Sequence, residues 1–261
     1  MDLGIKGRVA AVAAASKGLG FACAEAFARE GADVAICARG EEALRDAAKA
    51  LEQTGARIHS VALDLAEPGA SERFIDSTVE TLGSCDIVVT NIGGPPSGSF
   101  DTFDDDAFRQ AFERNMLVAV RLARAAVPHM RAKGWGRIIN ITSIAARQPL
   151  PGLMIGNTAR AGVLGFAKTL SFELAAHGIT VNTVAPGPFL TDRARELSKQ
   201  RAAREGISVE EALRALHATP TGRAGNPEEL GALVAFLASE HAGYITGAVI
   251  GSDGGSYLGL Y

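Results

Sequence analysis

The sequence predicts a doubly wound α/β fold, in which helices cover both faces of a mostly parallel, seven-stranded sheet. Short apolar runs alternate with long helical patterns along the chain, and this alternation produces parallel strands joined by right-handed crossovers. Runs such as residues 87–89 are apolar on both sides, which is expected of strands covered on both faces. The 261 residues contain no repeat and no linker, so we expect a single domain over residues 1–261.

Hydrophobic periodicity and turn residues define the individual elements. Pro68 suits the first turn of the third helix, and Gly55 suits the end of the second. The predicted strands are residues 8–12, 34–37, 58–61, 87–89, 138–141, 179–184 and 248–251. The predicted helices are residues 18–30, 41–53, 68–82, 104–133, 152–176 and 227–239.

One segment breaks the alternation of strands and helices. Residues 191–222 are charged and helix-prone and contain no predicted strand. Because ordered connections of this length are usually functional, we predict a helical lid over a site. The alternative is a helical insertion on the surface.

Composition and charge restrict the class of function. Apolar residues make up 47% of the chain, which is enough for a full core. The formal net charge is −3 without runs of like charge, so neither nucleic acid nor a membrane surface is expected as a partner. The first residues lack the apolar core of a signal peptide, and a cytoplasmic protein is expected. The three cysteines and five histidines lack ligand spacing, so no metal is expected.

The loop after the first predicted strand has the composition of a phosphate-binding turn. It reads Ser16-Lys17-Gly18-Leu19-Gly20 and leads directly into a helix. Glycines there let the backbone approach a pyrophosphate, which then sits against the helix N-terminus. Its placement between a first strand and a first helix predicts a Rossmann-type dinucleotide-binding fold.

This turn resembles the Thr-Gly-x-x-x-Gly-x-Gly turn of the short-chain dehydrogenase/reductase family, with Ala14 at the first glycine. The likeness extends over essentially the whole chain, which resembles a divergent member of the 3-oxoacyl-ACP-reductase type. Further matching residues are Asp64-Leu65, Asn91-Ile92-Gly93-Gly94, Asn115, Pro186-Gly187 with Thr191, the segment 223–229, and Asp253-Gly254-Gly255.

The resemblance implies roles for these residues in holding a dinucleotide. Asp64 and Leu65 stand at the adenine-contacting position. Asn91 and Gly93 belong to the stretch that the family has beside the cofactor. The turn that holds the nicotinamide carboxamide is matched by Pro186, Gly187 and Thr191.

The end of the second predicted strand indicates which dinucleotide binds. An acidic residue there would bind the ribose hydroxyls and favour NAD. The sequence instead has Ala38 followed by Arg39, and Lys17 lies in the glycine-rich turn. Two cations at these places can pair with a 2′-phosphate, as in the NADP-preferring members of the family. We predict NADP(H); the alternative is that both are solvated surface charges.

The family's catalytic serine, tyrosine and lysine are only partly present. Ser143 matches the serine, whereas Gly156 and Arg160 stand at the tyrosine and lysine positions. Ser143 and Gly156 are thirteen residues apart, the usual serine-to-tyrosine interval in the family, so no gap restores the pair. The alternative for Ser143 is a strand-end serine that bonds its own backbone. The chain's tyrosines all lie near its C-terminus, from where a neighbouring subunit could still supply one.

These replacements leave three functions open. Gly156 cannot supply the proton that an alkoxide needs, and Arg160 stays protonated up to about pH 12. The resemblance implies that Arg160 binds the cofactor by bonding the nicotinamide ribose. Arg160 and Ser143 can also stabilise an oxyanion, with the proton taken from the substrate or from water near Asn115. We rank first an NADP(H)-dependent oxidoreductase of a small carbonyl or alcohol substrate with altered acid–base residues. A catalytically silent NADP(H)-binding sensor or scaffold and a reductase of activated C=C bonds are the alternatives. The resemblance also implies a homotetramer.

Overall fold

A wholly parallel sheet of seven strands organises the computed structural model, which describes residues 1–260. The strands lie in the order β3-β2-β1-β4-β5-β6-β7, so the predicted fold class is confirmed. Their bounds are β1 (Val9–Val12), β2 (Asp33–Ala38), β3 (Ile58–Ala62), β4 (Ile87–Thr90), β5 (Gly136–Ile141), β6 (Ile179–Pro186) and β7 (Val249–Ser252).

Helices cover both faces of this sheet and form two separate apolar layers. They are α1 (Gly18–Arg29), α2 (Glu41–Glu52), α3 (Ala70–Leu82), α4 (Asp105–Phe112), α5 (Val118–Lys133), α6 (Met154–Leu174), α7 (Asp192–Glu205), α8 (Val209–Arg214) and α9 (Pro227–Leu237). One layer packs α1, α2 and α9 against the sheet. The other packs α3, α5 and α6 against the opposite face.

The strand order brings the predicted site to one edge of the sheet. Strand β1 pairs with both β2 and β4, so the direction of winding reverses beside it. Ligands of open α/β sheets bind at such a reversal, outside the carboxyl ends of the strands. The strand register aligns Val12 with Val89, Thr90 with Asn140, and Ile141 with Val184. The loops that follow β1, β4, β5 and β6 therefore leave the sheet side by side.

The helix predicted over residues 104–133 is present from Asp105 to Lys133, with one irregularity. A π-helical turn, Glu113–Leu117, separates α4 from α5. Apolar periodicity does not reveal it, because one extra residue in a turn hardly alters the pattern. Such turns are frequent at functional sites, and this one carries Asn115.

The helix predicted to begin at residue 68 begins instead at Ala70. Gly69 has a left-handed backbone, with φ at +72°, and this conformation cannot continue a helix. The sequence suggested that Pro68 lies in the first turn of α3. It lies instead in the turn that precedes this helix.

The segment 191–222 is helical, with α7, α8 and a 3₁₀ turn over Ala215–His217. Its closure over a site remains a prediction. Among residues 1–260, no helix is long and apolar enough to cross a membrane.

Candidate active site

The turn after β1 is held in a strained shape by close backbone packing. Ala14 has φ at +49° and is the one non-glycine residue with positive φ among residues 1–260. A Cβ on Gly20 would lie 2.4 Å from the carbonyl oxygen of Ala14, so the glycine is required there. The Asn91 amide donates to the carbonyl oxygens of Ala13 at 3.4 Å and Ala14 at 3.3 Å. Asn91 thus ties the loop after β4 to this turn.

The N-terminus of α1, which the sequence predicts to hold a pyrophosphate, is not capped by any side chain. Lys17 is the exposed N-cap, no side chain caps the helix, and its first turn contains no acidic residue. The first backbone N–H groups of a helix carry partial positive charge. Thr191 approaches from the opposite side, with its methyl group 3.6 Å from the position that a Cβ on Gly18 would take. Ser16 and Leu19 flank Lys17 and Gly18 and are half-buried.

Charged residues gather at the predicted adenosine end. The Asp64 carboxylate accepts from the Ala66 amide at 3.0 Å and from Arg114 at 3.1 Å. Burial alone would raise the pKa of Asp64, but these hydrogen bonds and the charges of Arg114 and Arg39 lower it below its ordinary value. Arg39 is exposed and forms no ion pair within residues 1–260. Leu65 is buried beside Asp64.

The predicted nicotinamide end is built from the turn after β6. The Gly187 amide donates to the carbonyl oxygen of Ser252 at 2.9 Å. Thr191 caps α7, since its hydroxyl accepts from the Ala194 amide at 3.2 Å. Pro186 ends the strand that leads into this turn. A cleft of about 180 Å³ joins the turn to α1; it is lined by Gly18, Phe21, Ala22, Leu190, Thr191, Asp192, Pro227 and Glu228.

The predicted catalytic residues Asn115 and Arg160 meet in one small cavity. It gives about 10 Å³ of space, about the minimum needed for one water molecule. The Asn115 amide nitrogen donates to the carbonyl oxygen of Ala111 at 3.0 Å, which leaves its side-chain oxygen to accept. The remaining lining residues are Thr90, Ile92, Ala119, Ile141, Thr142 and Val163.

Ser143 lies next to this cavity but does not line it. It is the N-cap of a 3₁₀ turn, and its hydroxyl oxygen accepts from the Ala145 amide at 3.1 Å. This is the backbone-bonding arrangement that the sequence left open. The hydroxyl hydrogen is still available to a substrate oxygen, so the predicted contact with substrate stays a prediction.

Arg160 occupies the space that two glycines leave. Its Nη2 lies 3.0 Å from the position of a Cβ on Gly94, and its Nη1 lies 3.5 Å from the position of a Cβ on Gly156. The ring of Pro95 lies 3.2 Å from that same position beside Gly156. A Cβ at residue 156 would therefore press on Pro95 and lie in contact with Arg160.

The charge on Arg160 has no partner within the described chain. Its guanidinium makes no hydrogen bond or ion pair with any of residues 1–260. Burial lowers the pKa of Arg160 from its ordinary value, and the nearby charge of Arg193 lowers it further. A guanidinium nevertheless stays protonated at neutral pH. Arg160 is therefore a fixed positive charge and not a proton donor.

Comparison with known proteins identifies the family. The family model described as enoyl-(acyl carrier protein) reductase matches residues 13–257. The chain is 35% identical to the 3-oxoacyl-(acyl-carrier-protein) reductase of Salmonella typhimurium, over 98% of this chain and 100% of that protein. It is 32% identical to dehydrogenase/reductase SDR family member 4 of Pongo abelii, over 95% and 87%. The chain belongs to the short-chain dehydrogenase/reductase family.

A solved structure of a short-chain reductase supports the same assignment. The L-sorbose reductase of Gluconobacter frateurii, in complex with NADPH and L-sorbose, superimposes with a TM-score of 0.95 at 37% identity. The match covers 100% of both chains. The described fold is thus that of a short-chain dehydrogenase/reductase throughout.

Sequence reasoning missed four polar residues at the site. Thr90 and Thr142 line the cavity beside Arg160, and Arg114 pairs with Asp64. Arg193 reaches the loop after β4, where it donates to the carbonyl oxygens of Gly94 and Pro95. Arg193 could have been suspected, because it lies two residues beyond the motif residue Thr191.

Relief of strain at Ala14 is expected to stabilise this short-chain dehydrogenase/reductase. A left-handed conformation costs a non-glycine residue roughly 1–2 kcal/mol, whereas the greater unfolded-state freedom of glycine costs roughly 0.5–1 kcal/mol. Ala14→Gly should therefore raise the free energy of unfolding by up to about 1 kcal/mol, measured by denaturant titration. Ala15→Gly, at a buried neighbour without positive φ, is the control and should lower it. Equal destabilisation by both changes would contradict strain at Ala14.

Proposed function

We propose that this chain is an NADP(H)-dependent reductase of a small carbonyl compound, in which fixed hydrogen-bond donors stabilise the oxyanion and no side chain acts as general acid. The observation that carries this proposal is the unpaired guanidinium of Arg160 beside Gly156. Preorganised donors of this kind are a major source of rate enhancement when negative charge develops on oxygen.

The described residues fit an NADP(H) cofactor. Gly20 lets α1 pack closely against the backbone of Ala14 in the phosphate turn, and no side chain caps the N-terminus of α1, which suits a pyrophosphate. Lys17 and Arg39 are exposed cations without ion-pair partners in residues 1–260, which suits a 2′-phosphate. The similar L-sorbose reductase binds NADPH. When bound, this cofactor supplies a hydride to the substrate.

The chain's own residues would then stabilise the negative charge on the substrate oxygen and position the water that protonates it. Arg160 and the hydroxyl of Ser143 donate hydrogen bonds to the oxygen on which negative charge develops. Because neither gives up its proton at neutral pH, the proton comes from water. The cavity beside Asn115 is of the size for one water molecule, and the free oxygen of Asn115 can accept a hydrogen bond from it.

A reductase of activated C=C bonds is the second candidate. The absence of a tyrosine at residue 156 favours it, because an enolate product is less basic than an alkoxide and needs less acid assistance. The catalytically silent sensor or scaffold is ranked third, since Ser143 and the whole cofactor cradle are retained.

Oxidation of NADPH against a panel of substrates tests the proposal. Ketones, quinones and enones are presented in turn, and the loss of NADPH absorbance is followed. Reduction of ketones supports the first candidate, and reduction of enones alone supports the second. Tight NADPH binding with no turnover of any compound would contradict both and favour the silent protein.

We also propose that the chain forms a homotetramer. Phe172 on α6 is 73% exposed and Leu258 near the C-terminus is 85% exposed. In the family, α5 and α6 form one subunit interface and the C-terminal segment forms a second, and either residue would be covered there. Two such interfaces in closed symmetry give a tetramer. Light scattering at micromolar concentration measures the mass, and a stable monomer would contradict this proposal.

Cofactor preference is expected to depend on Arg39. Arg39→Ala should weaken NADPH binding by about 1.5–3 kcal/mol, the size of a hydrogen bond to a charged group, and should leave NADH binding unchanged. Calorimetric titration of both cofactors measures this. Arg45→Ala removes another exposed cation, on α2, and should affect neither cofactor. Equal affinity of the wild type for NADPH and NADH would refute the assignment.

Restoring the family's tyrosine and lysine is expected to raise the rate of ketone reduction. General acid catalysis contributes about 10²–10⁴-fold, so the double change Gly156→Tyr with Arg160→Lys should increase turnover of simple ketones. Gly156→Tyr alone should do little, because the new ring would meet Arg160 and Pro95. Steady-state rates of the wild type, both single variants and the double variant complete the cycle. Rapid ketone reduction by the wild type, at rates usual for the family, would show that another group supplies the proton.

A further inference from the structure

The segment that follows β7, residues 253–258, touches two of the loops that bear the proposed site. It starts beside the turn after β6, where the Cα of Asp253 lies 2.7 Å from the position that a Cβ on Gly187 would take. It then reaches the loop after β5, which carries Ser143. The segment therefore joins the turn predicted to hold the nicotinamide to the loop with the predicted oxyanion donor.

The Asp253 carboxylate gives this segment a fixed shape. Its two oxygens accept from the backbone amides of Gly255 at 3.0 Å and Tyr257 at 2.8 Å. The carbonyl oxygen of Asp253 accepts from the Ser256 hydroxyl at 2.7 Å. Because these bonds lie within one short turn, the backbone of Tyr257 is held at a fixed offset from Asp253, and so from the turn after β6.

Two contacts fasten the segment to the loop after β5. The Arg147 guanidinium lies over the Tyr257 ring, 3.9 Å from its centroid. Both side chains belong to half-buried residues, and partial removal from water strengthens the attraction between a cation and an aromatic face. The side-chain oxygen of Gln148 accepts from the Leu258 amide at 2.9 Å. Residues next to each other in the loop are thus both anchored.

These anchors are connected to Ser143 through a single 3₁₀ turn. The backbone amides of Arg147 and Gln148 both donate to the carbonyl oxygen of Ile144 at 2.9 Å. The Ala146 amide donates to the carbonyl oxygen of Ser143 at 3.0 Å. A shift of either anchored residue is therefore passed on to Ser143.

We propose that Arg147 and Tyr257 are positioning residues, which hold the Ser143 hydroxyl in place relative to the nicotinamide turn. This inference rests on the proposed function, in which Ser143 donates to the substrate oxygen while the cofactor supplies the hydride. Both groups must reach the same carbonyl, and a misplacement of about 1 Å can lower a rate about a hundredfold. Loss of the contact should therefore lower kcat. The affinity for NADPH should not change, because neither residue belongs to the phosphate turn.

Single-site variants compared by steady-state kinetics test this inference. Tyr257→Leu and Arg147→Gln should each lower kcat about tenfold for a ketone that the wild type reduces, with the Kd for NADPH within about twofold of the wild-type value. Tyr257→Phe keeps the aromatic face and should retain the wild-type kcat. Tyr244→Leu is the matched control, since Tyr244 is fully exposed, and should change neither constant. A Tyr257→Phe protein as slow as Tyr257→Leu would contradict the role of the ring face.

Two double variants show whether the effect passes through this contact and through Ser143. Tyr257→Leu combined with Arg147→Gln should be no slower than either single variant, because one contact is lost in all three. Tyr257→Leu should also have no further effect in a Ser143→Ala protein, which lacks the hydroxyl. Additive losses in either double variant would overturn the inference. So would a loss of kcat confined to Tyr257→Leu and accompanied by dissociation of subunits in light scattering.

Hydrogen exchange separates this inference from the proposed function. The backbone amides of Arg147 and Gln148 should exchange about three- to tenfold faster in Tyr257→Leu than in the wild type, because an anchor of their loop is lost. Exchange in α9 should not change. Faster exchange would support the positioning of the loop even in a protein that reduces no ketone, in which case the reductase alone fails. Unchanged exchange at these two amides would overturn the inference and leave the reductase standing.

Discussion

The packing of Arg160 between two glycines is the constraint on which the chemistry of this site depends. The guanidinium lies 3.0 Å from the position of a Cβ on Gly94 and 3.5 Å from that of a Cβ on Gly156. In the proposed function, we infer that a tyrosine ring at residue 156 would compete for space with Pro95 and Arg160. We propose that the fixed positive charge of Arg160 acts where the family has a proton donor.

The rest of the fold places the predicted cofactor-binding residues close to Arg160. Parallel strands β1, β4, β5 and β6 end at one edge, and the loops that follow them carry the phosphate turn, Asn91, Ser143 and Thr191. Asn91 couples the first two loops through its hydrogen bonds to Ala13 and Ala14. Because these contacts are short-range and largely backbone-mediated, the cofactor cradle is formed independently of residue 156. The cofactor cradle can therefore be kept in a chain that has glycine at residue 156.

The fold and the cofactor cradle could be predicted from the sequence because both are local. Apolar periodicity identified all seven strands and most helix bounds, and the placement of Gly18 and Gly20 after a strand identified the phosphate turn. The π-helical turn at Asn115 was missed, since periodicity does not register one extra residue. The convergence of Arg160 and Arg193 was also missed, because α6 and α7 meet only through tertiary packing. The same holds for Thr90 and Thr142, which reach the cavity from neighbouring strand ends.

The dependence of kcat/KM on pH, with saturating NADPH and a ketone that does not titrate, tests most directly whether the site works without a general acid. Neither Arg160 nor the Ser143 hydroxyl titrates near neutrality. The rate should therefore be flat between about pH 6 and about pH 9, because water supplies the proton. A rate that falls about tenfold per pH unit above a pKa within that range would reveal an ionising acid. That result would contradict the central role of the fixed charge on Arg160.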